Sequence, residues 1–127
     1  MVDFLRYTQD IIRLRWNQPA LRSSSVNAFH VHNQNRIVAY QRWIEGVGQD
    51  VIVVVSLNDN AFYGYSIGFP SGGHWNELFN SDIYDNWVNP AAVGNYGGID
   101  ANGGPMHGFG NSGAITIPPN SIVVFGR

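Results

Sequence analysis

The apolar residues of this chain keep two different periods, and the change between them limits the fold more than any other feature. From Asp3 to Asn17 they recur every three or four residues. Phe4, Tyr7, Ile11 and Leu14 form a stripe that Leu5, Ile12 and Trp16 widen. That is the period of an amphipathic helix. Asp3 suits the N-cap, Asp10 lies opposite the stripe, and Arg13 and Arg15 favour the C-terminal end of the helix dipole. Pro19 ends the helix, because the residue before a proline is kept out of the α region.

After Ser23-Ser24-Ser25 the period falls to two, the period of strands. Val26–His32 and Arg36–Ile44 read as a hairpin about the turn Asn33-Gln34-Asn35. Asp50–Leu57 is a continuous apolar run, the mark of a central strand covered on both faces. Asn58-Asp59-Asn60 turns the chain into a strand over Tyr63–Phe69. Pro70-Ser71-Gly72-Gly73 turns it again into His74–Phe79, where Trp75 and Leu78 are expected anchors. Ala114–Ile117 and Ser121–Phe125 close the chain around Pro118-Pro119-Asn120. One helix followed by short strands predicts a mainly β protein, an antiparallel sandwich or barrel.

A chain of 127 residues is one domain by size, too short for a (β/α)8 barrel of about 250 residues. The chain has no Cys, which excludes disulfides, thiolate metal sites and cysteine nucleophiles. Charged residues make up 13% and the net charge is −2, so no basic stripe for nucleic acid is present. The longest apolar run, Val51–Val55, falls far short of the ~20 residues of a membrane-spanning helix. Asp3 and Asp10 interrupt the start, where a signal peptide would need an apolar stretch, so a cytoplasmic chain is expected. Asn and Gly stand where charge would otherwise be. Both tolerate tight turns, and both suit a surface that meets a neutral polar ligand such as sugar.

The stretch from Asn80 to Gly113 is long for a structureless loop. It holds Tyr84, Trp87, Tyr96 and Phe109 among Asn, Asp and Gly. Such rings either stack on sugar faces or pack the loop onto the sandwich as a small core. His30 and His32 share one face of a strand, and His74 follows some way on. This spacing faintly resembles a cupin metal motif, but Arg36 and Asn35 stand where an acidic ligand is needed, so no metal and no cofactor are expected. Asp82, Asp85 and Asp100 lie in the loop, where burial is hard to arrange. Ser23-Ser24-Ser25 lacks a nucleophile elbow, and Gly97-Gly98 and Gly103-Gly104 lack a phosphate loop's Lys and helix. No catalytic constellation can be assembled.

The order of short phrases is more specific. Ile11 through Leu21, ending Pro19-Ala20-Leu21, resembles the last barrel helix of the α-amylase superfamily, glycoside hydrolase family 13. Val26–Val31 and Ile37–Trp43 resemble the first hairpin of that family's C-terminal all-β domain, and Asp50–Asn58 its central strand. Tyr65-Ser66-Ile67-Gly68-Phe69-Pro70 with Gly73 and Trp75, then Leu78–Asp82, resemble phrases of branching-enzyme-like members. Gly104-Pro105-Met106 and Ile117–Ser121 continue in register.

The resemblance implies a Greek-key antiparallel β-sandwich over residues 23–127, preceded by a barrel-type helix over residues 1–22. It implies a non-catalytic accessory domain of an α-glucan-active enzyme, since the family's catalytic acids lie on barrel strands that this sequence does not contain. The expected partner is an amylase-type barrel in trans. The alternative is a stand-alone carbohydrate-binding module that grips α-glucan through the loop 80–112, with Trp75, Tyr84, Trp87 and Tyr96 as contact candidates. Neither reading involves nucleic acid or membrane. The helix stripe, without a barrel, is expected to fold back on the sandwich or to pair with another copy.

Overall fold

The structure is a computed structural model that describes residues 2–18, 21, 25–32, 34–43, 50–81, 95 and 98–126. Helix α1 spans Val2–Asn17. Eight strands follow: β1 Ser25–His32, β2 Ile37–Trp43, β3 Val51–Ser56, β4 Phe62–Phe69, β5 His74–Asn80, β6 Ile99–Asp100, β7 Asn111–Ile117 and β8 Ser121–Gly126. The protein is mainly β, as the change of period indicates.

All pairings are antiparallel. Six strands form one sheet in the order β1-β2-β3-β8-β5-β6, and β4 and β7 form a second. The closing strand β8 therefore sits between β3 and β5, beside strands that are not its chain neighbours. The two layers meet through a core to which both sheets contribute. Ile37, Ile52, Val54, Trp75, Val123 and Phe125 come from the larger sheet, and Ile67, Phe69, Ile115 and Ile117 from the smaller.

The apolar run of β3 takes the place expected of it. Ile52 and Val54 face this inner core, while Val51 and Val53 face outward into a second cluster with Phe79 and Val124. Helix α1 covers that outer cluster with Tyr7, Ile11 and Leu14, and the Tyr7 ring meets Phe79 edge-on at 5.6 Å. The expected folding back of the helix stripe is thus observed along one of its rows.

Turn chemistry fixes the far end of the sandwich. Asn58 caps its own turn, its side-chain oxygen accepting the Asn60 amide at 2.9 Å. Asn120 adopts φ 44°, which Asn tolerates better than most residues. Its amides reach across to the first turn: the backbone N–H donates to the Asn58 carbonyl at 2.9 Å, and the side chain donates to Asp59 at 2.7 Å.

The stretch from Asn80 to Gly113 is not one loop. It contains β6, and β7 begins at Asn111, earlier than the Ala114 expected. Asn111–Gly113 pair with Ile67–Phe69 of β4. These residues carry no alternating apolar pattern, so the pairing leaves no trace in the hydropathy. Between β6 and β7, Met106 and Phe109 exchange backbone hydrogen bonds of 3.0 and 2.9 Å. This tight turn has positive φ at both His107 and Gly108, the two-residue type that suits the twist of a hairpin.

Candidate functional sites

Two surfaces stand out: an exposed apolar row on α1, and an imidazole and aromatic cluster at the β1 edge. The sequence places the first by helical period. On an α-helix, positions three, four and seven apart share a face. Tyr7, Ile11 and Leu14 lie against the sheet, so Leu5 and Ile12, seven apart, point elsewhere. Leu5 is 57% exposed, Ile12 62% and Trp16 75%. The helix thus presents apolar surface on two sides, one covered and one open. Beyond the helix, Val31, Val38, Val55 and Ile122 fall in one row across β1, β2, β3 and β8 on the outer sheet face. Val31 is itself exposed, and the others are partly so.

The second cluster depends on an irregularity in β1. The register with β2 shifts between Ala28 and His30, so Phe29 is an extra residue, a β-bulge. A bulge re-aims the side chains around it. Phe29 packs against the inner core and meets the Phe109 ring at 4.9 Å. His30 stacks on His107 with ring centres 4.3 Å apart. His32 follows on the same strand face as His30, as the alternation requires, at 6.1 Å between ring centres.

A hydrogen-bond chain orders these rings. The Tyr65 hydroxyl and Nε2 of His30 share a hydrogen bond of 2.7 Å. The backbone N–H of Asn35 donates to Nδ1 of His32 at 3.1 Å, and that of Gly68 to Nδ1 of His107 at 3.0 Å. Burial holds His107 below the ordinary histidine value. Burial, and then the neighbouring His107 and His32, lower His30 in the same direction. Burial raises Tyr65.

Among the described residues, no group of three or more His, Cys, Asp or Glu could hold a metal ion. Stacked rings present faces to each other rather than converging nitrogen lone pairs. His74 makes a different pair, its Nδ1 lying 2.9 Å from the Asp100 carboxylate with both side chains exposed.

The glycines of the Ile67–Trp75 phrase have steric roles. A Cβ on Gly68 would overlap the Met106 carbonyl oxygen and reach within 3.0 Å of the Phe109 ring. Gly73 adopts φ 94°, a conformation that costs glycine little. Gly68→Ala is expected to destabilise the domain by about 1–3 kcal/mol, the usual cost of overpacking, because the first obstacle is backbone. Urea unfolding followed by circular dichroism measures it.

The sugar-contact candidates fare unequally. Trp75 is not on the surface. It is 0% exposed, its ring lies 5.2 Å from Phe69, and its Nε1–H donates to the Ser71 carbonyl at 3.0 Å. Its expected role as a core anchor is what the structure shows, and no ring face is left for a ligand. Tyr84, Trp87 and Tyr96 lie outside the described residues. Phe109 belongs to the cluster at the β1 edge. Sequence reasoning does not single out His107. The signal that could find it is the pair His107-Gly108 flanked by Met and Phe, which reads like the Asn-Gly of a tight hairpin.

Fold and surfaces together define an antiparallel β-sandwich domain carrying one amphipathic helix on its outer face. The family model for the alpha amylase C-terminal all-beta domain matches residues 29–127, and the chain belongs to that family. It is 35% identical over 92 residues to the 1,4-alpha-glucan branching enzyme GlgB of Paraburkholderia xenovorans, covering 71% of this chain and 12% of the relative. Against the enzyme of the same name from Aquifex aeolicus it is 30% identical over 90 residues, covering 71% and 14%. The chain therefore spans only about an eighth of the length of these relatives. Among solved structures, the trehalulose synthase MutB in complex with Tris shares the fold. Its TM-score is 0.53 at 22% identity, covering 93% of this chain and 17% of that one. No helix among the described residues is long and apolar enough to cross a membrane.

Proposed function

We propose that this chain is a non-catalytic accessory domain of an α-glucan-active enzyme, with residues 23–127 as the sandwich and residues 1–22 as the helix that docks it to an amylase-type catalytic barrel. The observation that carries this reading is the helix with two apolar sides. Tyr7, Ile11 and Leu14 are used by the sandwich, while Leu5 and Ile12 remain more than half exposed. Burying a side chain of that size stabilises by roughly 1.5–3 kcal/mol. An exposed row of this kind therefore favours contact with a second body. The likeness to branching enzymes, in which the matched segment is a small share of the whole, agrees with a part that works beside a larger catalytic body.

The test adds the chain to a branching-enzyme barrel from which the homologous domain has been deleted. Addition is expected to raise the barrel's thermal midpoint by a few degrees. The Leu5→Asp, Ile12→Asp double variant is expected to lose the effect while keeping its own fold. If the parent chain leaves the barrel unchanged, the docking role fails. The alternative, a free-standing glucan-binding module, gains no support from Trp75, which is buried. Retardation of the chain in glycogen-containing native gels, abolished by Trp87→Ala, would favour it instead.

A further inference from the structure

We propose that the Met106–Phe109 turn is a pH-operated latch, closed over β4 while His107 is neutral and released when His107 takes up a proton. The closed state rests on one bond between the turn and β4. Nδ1 of His107 accepts the backbone N–H of Gly68 at 3.0 Å, so the ring proton must sit on Nε2. A protonated ring carries N–H on both nitrogens, and Nδ1 would then point a donor at a donor. The Gly68 amide cannot turn away, because Gly68 is held in the β4–β7 ladder opposite Ser112.

His30 does not share this constraint. Its partner is the Tyr65 hydroxyl at 2.7 Å, which can accept as readily as it donates. His32 accepts a backbone N–H at Nδ1 as well, but from Asn35, three residues away at the β1–β2 turn. Only His107 ties the Met106–Phe109 turn to β4 in this way, so His107 is the trigger and His30 its stacked neighbour at 4.3 Å. The titratable groups that face the pair are His32 from β1 and Tyr65 from β4. None of the side chains bonded to or stacked on the two rings is a carboxylate. A charge gained on one ring thus meets only repulsion from the other.

The lowered values of both histidines give the sign. A base held below its ordinary value supports the closed state fully above about pH 6.5. That support is lost as the pH falls from there through the lowered value. Opening would free the Met106 carbonyl seated over Gly68. It would also part the Phe109 ring from Phe29, now 4.9 Å away, and uncover the bulged end of β1.

Hydrogen exchange read by NMR tests the latch, with the central-strand amides of Ile52 and Val54 as internal reference. Protection at Gly68 and Phe109 is expected to fall severalfold relative to that reference between about pH 7.5 and about pH 5, because protonation of His107 is favoured once the turn opens. In His107→Asn, the side-chain oxygen can accept the same amide, tolerates the positive φ and does not titrate. Its protection is expected to stay level over the same range. Equal protection at both pH values in the parent overturns the proposal, as does an acid-induced loss in His107→Asn that matches the parent. Should that variant fail to fold, the parent supplies the second readout. The midpoint at which the Gly68 amide resonance moves must follow the His107 ring titration, and a midpoint that follows His30, His32 or His74 instead overturns the proposal.

Discussion

Trp75→Ala is expected to cost about 3–5 kcal/mol of unfolding free energy, as truncation of a fully buried large aromatic does. Trp75 is the largest of the wholly buried side chains among the described residues. It stands where β5 and β6 meet, paired with Ile99 across that ladder, and its ring packs on Phe69 of the opposite sheet. Removing it opens a cavity between the layers and leaves the Ser71 carbonyl without its indole donor. A domain of this size has about 5–15 kcal/mol in total, so the variant is expected to unfold at a much lower urea concentration, with a similar slope. Trp75→Phe should lose much less, because it keeps the ring contact and gives up the hydrogen bond. If Trp75→Ala unfolds at the same concentration as the parent, the central position of Trp75 in the core is wrong.

The next largest loss is expected from Asn95, whose side chain acts as a strand partner. Its Nδ2 donates to Glu77 at 2.7 Å and to the Thr116 carbonyl at 3.0 Å. Its Oδ1 accepts the Thr116 amide at 2.7 Å, and its own backbone N–H donates to Glu77 at 3.0 Å. One primary amide thus satisfies both backbone groups of a β7 residue. Asn95→Ala leaves a half-buried amide, a carbonyl and a carboxylate short of partners, and should cost about 1–3 kcal/mol. Asn95→Asp should cost more at neutral pH. It turns the donor into an acceptor facing the Thr116 carbonyl and the Glu77 carboxylate. Lowering the pH should recover part of that loss as the introduced carboxyl is protonated. Denaturation at two pH values separates the two effects.

The elements with a regular period are legible in the sequence. The helix over Asp3–Asn17 and the central strand over Asp50–Leu57 match α1 and β3 within a residue. In each, one rule of spacing decides which side chains are covered. What stays hidden are the departures from period. The bulge at Phe29, and a second register shift between Glu77 and Phe79, break the alternation of β1 and β5. The second shift lets Leu78 and Phe79 both face the outer cluster. A bulge is set by what the partner strand needs, and the partner is far away in sequence. The start of β7 escapes for a related reason, since Asn111, Ser112 and Gly113 pair through backbone and show no apolar alternation. Trp75 reads in the sequence as both anchor and sugar contact. The structure settles it as an anchor, wholly buried against Phe69. At the β1 edge, the shared face of His30 and His32 follows from strand alternation. Their meeting with His107 depends on a turn placed by tertiary contacts.

The bulge in β1 has a further effect, on how the chain behaves in company. β1 is the last strand of the six-stranded sheet, and its outer side carries the exposed Val26 and Val31. A straight strand of that composition would offer an open row of amides and carbonyls on which an identical strand could lie, copy upon copy. The extra residue at Phe29 breaks the even spacing of that row and sharpens its twist, so a second chain could match it over only a few residues at a time. At the opposite margin β6 is two residues long, too short to template anything. The irregularity that seats Phe29 and His30 also works against edge-to-edge pairing, and deleting Phe29 is expected to increase aggregation as read by light scattering.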